Sequence, residues 1–488
     1  MNQAEQPLIE NRHSDKLNNR PGSGWQPSLS RFSGPKYKAL ADAIEVAITE
    51  GRLNNGERLP THRALADQLG VTIGTITRGY AEAERRRLVV ARVGSGTFVL
   101  GKTWENRDFS IPVSKKAEDD VIDLTLSLTV PARKEQVLAK TLLTLAQNGS
   151  SLSELLDYHP ETGLPRHRQA IVRWLRYHGM EADAENILIT SGGQHATVMT
   201  LQGLLHHNDT VASDELTYPG FINATRQLQL KHLGLPMDDD GLIPSGLEAC
   251  CQQHRPRLLY LMPSLQNPTA SVMPLKRRQE IIAISKRYNL LIIEDDVQFI
   301  SPENRLPSLY SLAPEQVIYV SSFAKHLAGG LRVGFIVSPV DLHHKIAMAL
   351  RSNCWITPPL MAEVAREWID SGEAWQLIAW QREEISQRRQ LLQEILSDFD
   401  VVSQPHSFHG WLKLPAPWRA ETFVRHMDDK GVKLLPSELF AVGSTAAPQA
   451  VRLCISTPDS REKLRTALER IKDALSYESI DIIRPMVF

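Results

Sequence analysis

The sequence predicts a multidomain chain: a small α+β block patterned as a winged helix-turn-helix, followed by a large α/β domain. Three observations carry that prediction. At 488 residues the chain exceeds what a single hydrophobic core ordinarily serves. Residues 36–100 read helix, helix, helix, hairpin. From Val121 to about Tyr477, helical patterns alternate with short apolar strands. Hydrophobic residues make up 42% and charged residues 23%, which argues against a disordered, collagen-like or coiled-coil chain.

The first 35 residues are polar, with Asn, Ser, Pro and Gly throughout, and are expected to form a mobile tail. They lack a basic region followed by an apolar stretch, so no secretory signal is expected. In the block that follows, Leu40, Ile44, Ala47 and Ile48 share one helical face, and Gly51 can stop that helix. Pro60 can open a second helix, with Leu65 and Leu69 inward and Gly70 at its end. Thr72 is placed to cap a third, whose buried face is expected to be Ile73, Ile76, Tyr80 and Ala83. The opposite face carries Gly74, Thr75, Arg78, Glu82 and Arg85. Two short apolar runs, Leu88 to Arg92 and Thr97 to Leu100, then flank Gly94-Ser95-Gly96 as a two-stranded ribbon.

Such a block fits double-stranded DNA. The whole chain has a net charge of -1, but residues 36–100 hold ten Lys and Arg against seven Asp and Glu, a local balance of +3. Small residues at 74 and 75 allow close approach to a groove, and Arg78 can reach a guanine edge or a phosphate. Arg63 is placed for backbone phosphate and Arg92 for contact from the wing. With Thr72 and Thr75 these form the candidate DNA-binding set. Any one of the arginines is as compatible with a solvated helical surface; the arrangement is the specific signal.

The matching text is Gly56-Glu57-Arg58-Leu59-Pro60-Thr61-His62-Arg63-Ala64-Leu65-Ala66, Leu69-Gly70-Val71-Thr72, Thr75-Ile76-Thr77-Arg78-Gly79-Tyr80 and Gly94-Ser95-Gly96-Thr97-Phe98-Val99. On it, residues 36–100 resemble the DNA-binding domain of the GntR superfamily. Residues 101–120, with Pro112 and a charged run from Ser114 to Asp120, read as a linker to a domain spanning 121–488.

Six segments of the large domain carry chemistry. Ser321-Ser322-Phe323-Ala324-Lys325, followed by Gly329-Gly330-Leu331-Arg332, offers an amine between two phosphate ligands. The aliphatic strand Leu290 to Ile293 ends in Glu294-Asp295-Asp296, carboxylates at a sheet edge where ligands bind. Ile187 to Thr190 runs into Ser191-Gly192-Gly193-Gln194 and a helix, whose first N–H groups can cradle phosphate. Asn267, before Pro268, is held extended with its amide free for a ligand. Tyr218, in Tyr218-Pro219-Gly220, is an aromatic platform or plain core. Arg452 lies inside the apolar strand Val451 to Ile455 and calls for an anionic partner.

In this order the segments resemble a fold-type I aminotransferase that binds pyridoxal 5'-phosphate (PLP). The resemblance implies that Lys325 is the Schiff-base lysine and that Asp295 pairs with the pyridine nitrogen, these two being the catalytic pair. It implies that Asn267 contacts the ring hydroxyl, that Tyr218 stacks on the ring, and that Gly193, Gln194, Ser322 and Arg332 hold the phosphate. Tyr158, in Tyr158-His159-Pro160-Glu161-Thr162-Gly163, resembles the tyrosine that reaches a partner subunit's phosphate, and Arg452 would take an amino-acid carboxylate. A GntR-type block joined to such a domain is the layout of MocR-type transcriptional regulators. One departure stands out: Gln298 follows Val297 where the family commonly has tyrosine.

The resemblance leaves three functions open, one of them a pure binding module in which PLP is structural. Another is a homodimeric, DNA-binding regulator that senses PLP or an amine or amino-acid effector. The third is a working aminotransferase with a DNA-binding appendage; Gln298 tilts against fast turnover. Four cysteines without CxxC spacing, Cys250, Cys251, Cys354 and Cys454, are expected to be reduced thiols of a cytoplasmic protein, with no metal site. No apolar run reaches the length of a membrane span.

Overall fold

The computed structural model describes residues 25–32, 34–54, 56–86, 88–92, 96–100, 121–131, 134–147, 149–443 and 445–481. The expected linker 101–120, residues 1–24 of the expected tail, and the Gly94-Ser95 turn lie outside the described residues. The chain divides into two compact units, Met1–Arg107 and Asp108–Phe488.

The first unit contains α1 (Lys36–Thr49), α2 (His62–Leu69), α3 (Ile73–Arg85) and a hairpin of β1 (Val89–Arg92) and β2 (Gly96–Val99). Gly70, at φ +58°, ends α2 in the left-handed region that favours glycine. Thr72 caps α3 by accepting from the Thr75 N–H at 3.2 Å. Leu40, Ile44, Leu65, Ile76, Tyr80, Val89 and Val99 close one core.

Four details differ from expectation. Trp25 is buried in this core, with Leu29 and Phe32 packed against it, so the ordered unit begins before residue 35. The second helix is opened by Thr61, whose hydroxyl accepts from the Ala64 N–H, and Pro60 precedes that cap. Ile73 is 49% exposed, because it stands at the free end of α3 and at the edge of its apolar stripe. Glu82 is buried on the polar face, because Arg85 and Arg86 both bind its carboxylate and cover it with their stems.

The second unit is built on a seven-stranded sheet. Its elements are β3 (Ile187–Thr190), α4 (Gly193–Leu204), β4 (Thr210–Asp214), α5 (Pro219–Gln227), β5 (Lys231–Leu235), β6 (Leu258–Leu261), α6 (Leu275–Tyr288), β7 (Leu291–Asp295), β8 (Val317–Ser322) and β9 (Gly334–Val337). The spatial order is β3-β9-β8-β7-β6-β4-β5. From β8 to β5 all neighbours are parallel, while β9 runs against both β8 and β3.

Burial on both faces explains why these strands read as unbroken apolar runs. Ile292, Val317, Tyr319 and Phe335 belong to the core on one face, and Tyr260, Ile293, Ile318 and Val320 to that on the other. A second, antiparallel sheet has the order β10 (Val401–Val402), β11 (His409–Lys413), β13 (Ala450–Cys454) and β12 (Leu435–Pro436), with a core of its own under α7 (Arg461–Asp481). The short strand Ile122–Asp123 pairs in parallel with Val432–Lys433.

Candidate cofactor site and DNA-facing helix

The C-terminal ends of β3, β7 and β8 share one edge of the large sheet. β3 leads through Gly192, at φ +93°, into α4; any side chain there would meet the Arg332 guanidinium. A Cβ on Gly193 would lie 2.6 Å from Val297 Cγ1 and 3.6 Å from Ser322 Cβ, so the helix start is open only because it is glycine. Arg332 donates to the Ser191 carbonyl at 3.0 Å. The Ser322 hydroxyl, at the end of β8, donates to the Val333 carbonyl and accepts from the Ala324 N–H. Gln194 donates to the Gly220 carbonyl at 2.9 Å, and its buried Oε1 has no partner among the described residues.

Lys325 lies three residues beyond β8, and its amine donates to the Ser127 carbonyl. Burial pulls its pKa down to about 8. Asp295, at the end of β7, is buried, which pushes its carboxyl up to about 6 against hydrogen bonds from the Tyr260 hydroxyl at 2.5 Å and the Val297 N–H at 3.2 Å. Its neighbour Asp296, also raised by burial, is held below the ordinary range by Arg305 and by the Tyr319 hydroxyl at 2.6 Å. Glu294, on the same strand, lies 4.0 Å from the Arg278 guanidinium, so of these three carboxylates Asp295 is the one in no ion pair among the described residues.

Arg452 on β13 is buried and donates to Asn267 Oδ1 at 2.8 Å and to the Thr125 carbonyl, with its guanidinium 5.1 Å from the Phe440 ring centre. The expected anionic partner is not present: among the described residues no carboxylate pairs with it. The expected free amide of Asn267 is free on one side only, since Arg452 takes its oxygen and leaves Nδ2 to donate. Tyr218 precedes α5 and is half-buried against the core. Tyr158 stands apart from this group, 84% exposed, edge-on to Trp355 at 6.1 Å. Gln298 is buried and its Oε1 has no partner among the described residues.

Sequence reasoning missed Tyr260, Ser127 and Thr125. The last two act through main-chain carbonyls, which no side-chain pattern reports. Tyr260 needed the β6–β7 register.

In the first unit Arg63 and Arg78 are exposed, and neither is in an ion pair among the described residues. Arg85 and Arg86 are neutralised by Glu82 and Asp42. Thr72 and Thr75 bond each other at 2.9 Å, so both hydroxyls serve the helix cap. Arg92 is on β1, and its side chain lies outside the described residues.

Comparison with known proteins bears on both units. Residues 36–99 match the bacterial regulatory proteins of the gntR family, and residues 126–471 match aminotransferase class I and II. The chain belongs to the class I and II aminotransferases, in their MocR-type, gntR-fused form. Among MocR-type relatives, an uncharacterized HTH-type transcriptional regulator, YdeF of Bacillus subtilis (strain 168), is 31% identical over 91% of this chain and 95% of its own. The HTH-type transcriptional regulator TauR of Rhodobacter capsulatus is 27% identical over 83% and 90%. The crystal structure of LysN, the alpha-aminoadipate aminotransferase of Thermus thermophilus in complex with N-(5'-phosphopyridoxyl)-L-leucine, matches with a TM-score of 0.67 at 26% identity, covering 75% of this chain and 94% of that one. The MocR-type chain has no helix long and apolar enough to cross a membrane among the described residues.

Proposed function

We propose that this MocR-type chain is a DNA-binding regulator whose large unit binds PLP and responds to PLP itself or to an amine or amino acid that reacts with it. The observation that carries the reading is the electrostatic coupling of a half-buried lysine amine to a buried carboxylate that is in no ion pair among the described residues, Lys325 and Asp295, beside a helix start kept open by Gly193. These residues fit the cofactor's three chemical demands: an amine for its aldehyde, an anion for its pyridine nitrogen and donors for its phosphate. The Gln194 Oε1, on the same helix start and without a partner among the described residues, supports a polar occupant there.

Lys325, whose pKa of about 8 leaves a far larger neutral share near neutral pH than an ordinary lysine has, is the nucleophile. Asp295 holds the proton on the pyridine nitrogen. The first N–H groups of α4, with Ser322 and Arg332, take the phosphate. Tyr218 covers the ring, and Asn267 Nδ2 donates to the ring hydroxyl. Bound there, PLP supplies an aldehyde carbon open to amines and a ring that draws electrons from it. Arg452 receives an effector's carboxylate by exchanging the Thr125 carbonyl for it. On the DNA side, Arg78 and Arg63 meet the duplex from α3 and α2, and a second copy of the chain binds the other half-site. Tyr158, exposed, reaches that copy's phosphate.

The test is operator binding by the full chain, using duplexes selected from a random pool, with and without PLP and a panel of amines and amino acids. The account expects at least one amine to change the DNA affinity tenfold or more, and only when PLP is present. Multiple-turnover transamination without any effect on DNA would favour instead the reading as a working aminotransferase.

A further inference from the structure

Asp295 is held from a neighbouring strand by a residue with no assigned role. β6 and β7 are parallel, with Tyr260 in register with Ile293. Asp295 therefore stands two residues further along, on the same face, ~7 Å up the strand. A tyrosine side chain spans that distance, and the Tyr260 hydroxyl donates to Asp295 Oδ2 at 2.5 Å. Both residues are buried. The Tyr260 ring is clamped by Phe221, stacked at 4.0 Å and 10°. Phe221 lies on α5, the helix that Tyr218 introduces, so one turn of chain sets both the ring platform and this clamp. The other carboxylate oxygen accepts from the Val297 N–H.

We propose that Tyr260 is a positioning residue for Asp295: its hydroxyl fixes the carboxylate's rotation and keeps it ionised, so that it is presented as an anion to a heterocyclic nitrogen cation. The inference rests on the PLP reading for the identity of that cation. An O–H bond to a carboxylate is stronger than a neutral one and favours the charged form. Facing Asp295 are Tyr260 from β6, Tyr218 before α5, Lys325 beyond β8, and Asp296 with the Val297 N–H just past the end of its own strand. Asp214 acts on Tyr260 from β4. Of the neutral groups among the described residues, Tyr260 alone is a side-chain donor to the carboxylate.

The experiment follows the Asp295 carboxyl directly in the cofactor-free full chain, by infrared titration with the Asp295→Asn chain subtracted. Tyr260→Phe keeps the Phe221 stack and removes only the hydroxyl. It should raise the Asp295 midpoint by about one pH unit, the size of a lost hydrogen bond to a charged group. It should also weaken PLP binding about tenfold in the wild-type background and not in the Asp295→Asn background. Replacing Tyr260 with 3,5-difluorotyrosine, a stronger donor of the same shape, should lower the midpoint, and this keeps the test open if the Phe variant does not fold. A midpoint unmoved by either change overturns the proposal. A midpoint that moves as expected in a chain that never takes up PLP supports the positioning role and removes the cofactor reading instead.

Discussion

At the scale of single residues, the chemistry rests on how burial treats opposite charges. Lys325 is driven toward its neutral form and Asp295 toward its protonated form by the same loss of water. The lysine consequence can be measured on the cofactor-free chain. Below pH 8 the folded chain carries a buried ammonium. Between about 8 and the ordinary 10.5, the folded amine is neutral while the unfolded one still holds its proton. Unfolding then takes up a proton, so stability from this group rises with pH across that window. Urea unfolding of the wild type relative to Lys325→Met should improve by about 2 kcal/mol from pH 8 to pH 10. A difference that stays flat would mean the amine is solvated. Gln298 belongs to this scale as well. Its amide oxygen is buried without a partner among the described residues.

At the scale of elements, α2 and α3 separate the arginines by what neutralises them. Arg85 and Arg86 hold the unit together through Glu82 and Asp42, whereas Arg63 and Arg78 keep their charge for a partner. Arg78→Ala should cost about 1–3 kcal/mol on a selected operator and much less on random duplex, if it reads a base edge. Arg63→Ala should weaken both alike and flatten the salt dependence. Equal losses on both duplexes for Arg78→Ala, measured by fluorescence anisotropy, would make it a phosphate contact. In the large unit the corresponding element is the segment Leu124 to Ser127. Its carbonyls take Lys325, Arg452, the Thr457 hydroxyl and the Cys454 N–H. The first described stretch after residues 101–120 is thus tied to the two cationic groups that a cofactor and a carboxylate would engage.

At the scale of the whole molecule, the parts readable from sequence were those set by local rules. Thr72 announced the start of α3, Gly70 the end of α2, and short, mostly apolar runs the strands β3, β6, β7 and β8. The unread parts depend on residues far apart in the chain. The reversed direction of β9 follows from pairings on both its sides, and Ser127 lies 198 positions from the amine it contacts. The capture of the Asn267 oxygen by Arg452 joins positions 185 apart. Trp25 looked like tail because its neighbours are polar, yet its indole, with Leu29 and Phe32, packs the segment onto the core. The central claim, that one chain joins a gntR-type DNA-binding unit to a PLP site built on Lys325, is tested most directly by borohydride reduction of the full chain loaded with PLP, followed by peptide mapping. The account predicts near-visible absorption that reduction bleaches, with the pyridoxyl group fixed on the peptide containing Lys325 and absent from Lys325→Ala. A label on another lysine, or a reducible adduct that persists in Lys325→Ala, would contradict it.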